Sequence, residues 1–77
     1  MKKDKVFQIG KIYRDPDLNI YYIILAKDDD SLEDDFKVFV LNETSYYDVG
    51  VEYFGASGMK DDMLVEEEVG TLLTRLS

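Results

Sequence analysis

The side chains with the most chemical capacity in this chain are carboxylates, and they come in runs. Asp28, Asp29, Asp30, Glu33, Asp34 and Asp35 place six within eight residues; Asp61 and Asp62 form a pair, and Glu66, Glu67 and Glu68 a triplet. Such clusters can ligate calcium, run acid–base catalysis, or present a negative surface to a cationic partner. Spacing excludes an EF-hand. Counted from Asp28, position five is Leu32, position six is Glu33 where glycine is needed, and position twelve is Phe39 where a bidentate Glu is needed. Counting from Asp30 puts Leu32 at position three. An irregular divalent site is left as a minor alternative, and no metal or other cofactor is expected.

Catalysis is not expected either. Paired carboxylates need a cleft that holds them at a fixed separation, and a 77-residue chain has little volume for one beside its core. With no His and no Cys, zinc sites on thiolates or imidazoles, disulfides, and dyads or triads using a Cys nucleophile or His base are all excluded. Ser57-Gly58-Met59-Lys60 matches a bare Ser-x-x-Lys spacing but lacks the flanking elements of that class, and reads as a turn. Gly55-Ala56-Ser57-Gly58 lacks the Gly-Lys-Ser/Thr ending of a phosphate loop.

What remains for the carboxylates is their field. Seventeen Asp or Glu against nine Lys or Arg give a formal charge of −8. Lys2, Lys3, Lys5, Lys11 and Arg14 against Asp4 make residues 1–14 carry +4, which leaves −12 on the rest. A body so acidic is not expected to bind nucleic acid directly or to sit on anionic lipid, since both need a basic face. Mimicry of nucleic-acid phosphates is a further option. Six charges on an extended eight-residue loop fall about 4.4 Å apart at ~3.3 Å rise, sparser than the ~1.7 Å of duplex DNA. Mimicry would therefore require Asp61-Asp62 or Glu66-Glu67-Glu68 to fold onto the same face. A third reading is a solvated loop that keeps a β-rich protein soluble and its edges unpaired.

The elements that must position these groups are mostly strands. Val6–Tyr13 reads as a first strand with Gly10 marking a bulge or a close backbone approach, and Arg14 to Asn19 as a turn built on Pro16. Ile20–Lys27 is apolar on both faces, the pattern of a central or doubly covered strand, and is followed by a polar loop from Asp28 to Asp35. Phe36–Asn42 is again apolar in both registers, with a turn over Asn42 to Ser45. Tyr47, Val49, Val51 and Tyr53 then alternate with Tyr46, Asp48, Gly50 and Glu52, the pattern of a strand with one wet face. Gly55 to Gly58 closes the β-rich part. Beyond it Val65, Val69, Leu72, Leu73 and Leu76 form a helical stripe, with Asp61 or Asp62 as a cap; the alternative is a short strand at Met63–Val65 and a helix from near Glu66.

This is an α+β chain, mainly β: one small domain over residues 1–77, with four or five antiparallel strands and one C-terminal helix. A small antiparallel barrel, SH3-like in size, or a strongly curved sheet is expected. The longest apolar run, Ile20–Ala26, falls far short of the ~20 residues of a membrane span, and no apolar stretch of signal-peptide length follows basic Met1–Lys5. A cytoplasmic location is expected.

The functional expectation is a non-enzymatic protein-binding module, an inhibitor or accessory factor that occupies a basic or nucleic-acid-binding surface of another protein. Its partner-binding residues would be the three acidic runs together with Tyr22 and Tyr46, one from each of the pairs Tyr21-Tyr22 and Tyr46-Tyr47. Small acidic proteins of phage and mobile elements that block host nucleases or polymerases are similar in size and charge; the likeness is one of type, rests on no motif and transfers no residue roles. The alternative is a structural protein that forms a homo-oligomer through its Tyr-rich sheet, its acidic loops serving solubility. Charge alone makes one prediction. Self-repulsion destabilises the compact state, so the urea midpoint should rise with added salt as the Debye length shrinks from about 30 Å towards about 10 Å. A falling midpoint would mean that attraction between the basic N-terminal segment and an acidic run outweighs that repulsion.

Overall fold

A computed structural model describes residues 7–28 and 35–76. Five strands form one antiparallel sheet: β1 (Ile12–Asp15), β2 (Ile20–Asp28), β3 (Asp35–Val40), β4 (Gly50–Gly55) and β5 (Met63–Val65), followed by helix α1 (Val69–Leu76). The spatial order is β4-β3-β2-β1-β5, so β2 is central and β4 and β5 are free edges. The sheet is open. The closed barrel among the sequence expectations is not formed.

Local chemistry sets the strand limits. Lys11 N–H donates to Gln8 C=O at 3.3 Å across a turn whose third residue, Gly10, has φ +86°, a conformation that costs glycine nothing. Gly10 N–H then donates to Ile24 C=O at 2.8 Å, and Ile24 N–H to Lys11 C=O at 3.1 Å, so two residues of the leading segment oppose one of β2. That is the bulge anticipated at Gly10. Because the turn occupies Gln8–Lys11, β1 starts at Ile12 rather than at Val6, and it runs on through Arg14 and Asp15. The reversal is confined to residues 16–19. Asp15 Oδ1 accepts the N–H groups of Asp17 and Leu18 at 2.9 and 3.1 Å, and Asn19 takes the left-handed φ of 56° while donating its N–H to Asp15 C=O.

Later boundaries also move: the third strand runs Asp35–Val40 rather than Phe36–Asn42. The fourth strand begins at Gly50, not Tyr47, because Thr44 organises the residues before it: its Oγ1 accepts the N–H of both Tyr46 and Tyr47, and its own N–H donates to Tyr47 C=O. At the C-terminus the short-strand alternative holds. Met63–Val65 pairs with Arg14–Ile12, so α1 starts only at Val69, and Glu68 C=O accepts the first helical bond, from Leu72 N–H. Neither Asp61 nor Asp62 caps the helix, since β5 lies between.

The sheet has a core on each side. On the first face Tyr13, Ile20, Tyr22, Ile24, Phe36, Val38 and Val40 pack against Met59, which the 55–62 crossover lays over the sheet. Rings from Phe36 through Phe7, Tyr13, Tyr22 and Phe54 to Tyr47 run in sequence there, with centroids 5.1–6.1 Å apart. On the second face Ile12, Tyr21 and Leu41 pack under Leu72 of α1. The two-sided apolar character of β2 follows directly: Tyr22 serves one core and Tyr21 the other.

The crossover is tied down by one buried polar link. Tyr22 is fully buried, and its hydroxyl donates to Asp62 Oδ2 at 2.5 Å. Burial, with the neighbouring carboxylate second, holds the phenol's pKa far above its ordinary 10.0. The native state therefore keeps this proton while the unfolded chain releases it, so stability should fall as pH rises above 10.0. In an ultraviolet titration Tyr22 should ionise only as the protein unfolds. Tyr22→Phe should remove that component of the alkaline slope and cost about 1–3 kcal/mol at neutral pH in urea unfolding. An unchanged slope would show that Tyr22 is not the group held protonated.

Candidate functional site

Among the described residues, the acidic runs divide between the two ends of the sheet. Asp28 and Asp35 close the described ends of β2 and β3 and lie opposite one another; Asp29, Asp30, Glu33 and Asp34 fall outside the described residues. Val65 aligns with Ile12 and Ile12 with Ile23, so the chain leaving β5 into Glu66, Glu67 and Glu68 emerges at the Asp28–Asp35 end of the sheet. Asp61 and Asp62 precede Met63, which aligns with Arg14 and Tyr21, and so belong to the opposite end.

Side-chain roles divide the runs further. Glu66 and Glu68 are exposed, but Glu67 is half-buried and holds Arg75, Nη2 to Oε1 at 2.5 Å. That hydrogen bond keeps the guanidinium's pKa above its usual value, and Arg75 and Arg14 lie 5.7 and 5.8 Å from the Tyr21 ring centre. Asp61 is exposed. Asp62 is buried against Tyr22, and both are structural rather than available to a partner, which corrects the expectation placed on them. Tyr46 is exposed at 64%, whereas Tyr47 packs on Phe54.

The most distinctive surface lies elsewhere. Val65, Ile12, Ile23, Phe39 and Val51 align strand by strand into one apolar row across the second face of the sheet. Helix α1 roofs the β1–β2 end of that row, where Ile12 is 4% exposed; at the other end Val51 is 48% exposed. Val49 and Tyr53, which share the Val51 face of the chain, are 53% and 59% exposed. Between α1 and the 41–49 segment this area continues into a shallow groove of about 530 Å³ lined by Leu41, Val49, Leu73 and Leu76, with Asn19, Asn42 and Glu43 at its rim.

The alternation of residues 47–53 identified an amphipathic strand but suggested that the apolar set would be covered. In β4 it is that apolar set that lies open. β4 is also an edge: its six residues pair in regular register with β3 and include no Pro or Lys, and its one charge is Glu52, opposite Val38. β5, the other edge, is only three residues long. Sequence reasoning missed Val49, Val51 and Tyr53 as an interaction surface. A signal was present: apolar residues on both faces of the third strand call for two covers, and the chain has one short helix to supply the second.

Two other recesses are present. One between Asp15, Leu18, Tyr47, Phe54, Met59 and Asp62 measures about 260 Å³, below the ~300–1,000 Å³ of ordinary ligand pockets, and a second, open one between Lys11, Leu64, Glu66, Glu67 and Glu68 measures about 560 Å³. Among the described residues no group of three or more carboxylates could hold a metal ion, and no helix is long and apolar enough to cross a membrane. Compared with protein-family models, curated proteins and solved structures, the chain matches none.

If the open row does not serve the isolated fold, its residues should be replaceable. Val51→Glu and Tyr53→Glu should each cost no more than about 1 kcal/mol in urea unfolding, whereas Ile24→Ala, in the closed core, should cost about 2–5 kcal/mol. A large loss at Val51 or Tyr53 would make these positions part of the fold's own stability.

Proposed function

We propose that this protein is a non-enzymatic, cytoplasmic protein-binding module, an inhibitor or accessory factor, that docks through the open β3–β4 half of its sheet onto a basic partner surface. The observation that carries this reading is the apolar row, covered by α1 at one end and left open at Val51. Burying such a surface stabilises a complex by roughly 25 cal/mol per Å² of apolar area, before the cost of association. The surrounding charge gives the choice of partner. A body of −8 attracts cationic surfaces and repels nucleic acid, and long-range attraction of that kind raises association rates more than final affinity.

The exposed β4 edge favours a second reading, self-association of the chain through strand pairing. The regular pairing of that edge supports it; the charge opposes it, because Glu52 lies within the strand and two copies bring −8 against −8.

Immobilised protein should retain a basic protein from the native host's lysate, competed by added DNA and lost on Val51→Glu although that variant folds. A retained protein indifferent to Val51→Glu would remove the open row from the binding site. A concentration-dependent mass by light scattering, abolished by Val51→Glu, would favour self-association instead.

A further inference from the structure

We infer that the open half of the second face is the seat for one basic amphipathic helix of the partner, lying beside α1 and completing a two-helix layer over the sheet. This rests on the docking surface proposed above and specifies what fills it. Five strands at ~4.8 Å spacing put the outer strand axes about 19 Å apart, and a helix with its side chains is ~10 Å across. Helix α1 packs on Ile12 of β1, Tyr21 of β2 and Leu41 just beyond β3, which centres it near β2; β4 lies two strands away, about 9.6 Å, which is one ordinary helix-to-helix spacing and leaves a second helix its seat, a trough over β4.

The floor of the trough selects a helix over an extended segment. Val51 and Tyr53 present exposed side chains from the sheet face, beside half-buried Phe39, and only an occupant lying on that face buries them. A strand added to the edge of β4 would pair backbone groups and leave Val51 and Tyr53 exposed. One wall is α1 itself, whose Leu73 is exposed beside the groove that reaches Val49. Length argues against a second copy's α1. Six residues of β4 span about 20 Å at ~3.3 Å each, which takes about 13 helical residues at ~1.5 Å rise, and α1 has eight.

Charge sets the composition of the occupant. Around the trough, among the described residues, Glu43 lies at one end and Asp28 and Asp35 at the other, against Lys37 on the floor. An occupant with leucine-type residues on one stripe and Lys or Arg on its flanks matches both the apolar floor and the acidic ends.

The probe is a synthetic peptide of about 14 residues with Leu on an i, i+3, i+4, i+7 stripe and Lys elsewhere, set against a scrambled peptide of the same composition. Titrated into the full chain, the striped peptide should bind one to one, gain helicity, and shift the amide resonances of Lys37, Phe39, Val49, Val51, Tyr53 and Leu73. Val51→Glu and Tyr53→Glu should each weaken it about tenfold, although each adds a negative charge that favours a cationic peptide. Should Val51→Glu fail to fold, Tyr53→Glu decides. Three results overturn the inference: variants binding as tightly as the parent chain, a scrambled peptide binding as well as the striped one, or shifts centred on Glu66–Glu68. Stronger binding of a proline-containing, non-helical peptide along β4 would also overturn it, in favour of strand addition. Loss of the lysate partner on Val51→Glu combined with no binding of the striped peptide would reject the helix and leave the protein-binding function standing.

Discussion

Strand β2 carries large apolar side chains on both faces, and much of the architecture answers the need to cover both. Tyr22 and Ile24 point one way and Tyr21 the other, so the sheet cannot rest one side on water as a simple antiparallel meander does. On the first face the cover is the 55–62 crossover, pinned by Met59 and by the Tyr22–Asp62 hydrogen bond. On the second it is α1. These two covers also dictate the topology. The crossover has to pass over the sheet to deliver Met59, which carries the chain from the β4 edge to the β1 edge, where β5 pairs and the helix then returns across the opposite face.

The covers are unequal, and that inequality produces the candidate site. An eight-residue helix with one fully buried residue, Leu72, roofs about half the width of a five-stranded sheet. The apolar row from Val65 to Val51 therefore passes from interior to surface without a change in chemical character. In an acidic body such a surface joins two properties that suit recognition of a protein: an apolar contact area, and a field that draws cationic partners and discourages other copies of the same acidic chain.

Much of this was legible in the residues. The central place of β2, the bulge at Gly10, the Pro16 turn, the antiparallel sheet and the C-terminal helix all rest on local chemistry: side-chain alternation, a glycine able to take positive φ, and an Asp that accepts neighbouring amides. The boundaries that moved did so for reasons of the same local kind, acting one turn away from where the pattern pointed. Thr44 captures the amides of Tyr46 and Tyr47 and delays β4; the Gln8–Lys11 turn delays β1. The candidate site was less legible. Tyr22 and Asp62 looked like surface groups, as an exposed tyrosine and a helix cap, because nothing local distinguishes an Asp that caps a helix from one that crosses a sheet to meet a phenol forty residues away.

By itself the sequence determined what this chain cannot do with His or Cys chemistry, the sign of its field, and which strands need cover on both faces, since these follow from composition and from a period-two pattern that any strand must obey. Only the tertiary structure decided which carboxylate goes inside and which apolar stripe stays outside. The reason is geometric. Alternation separates the two faces of a strand but does not say which one is roofed; that depends on the strand's rank in the sheet and on the reach of α1, and neither is encoded near Val51 or Asp62.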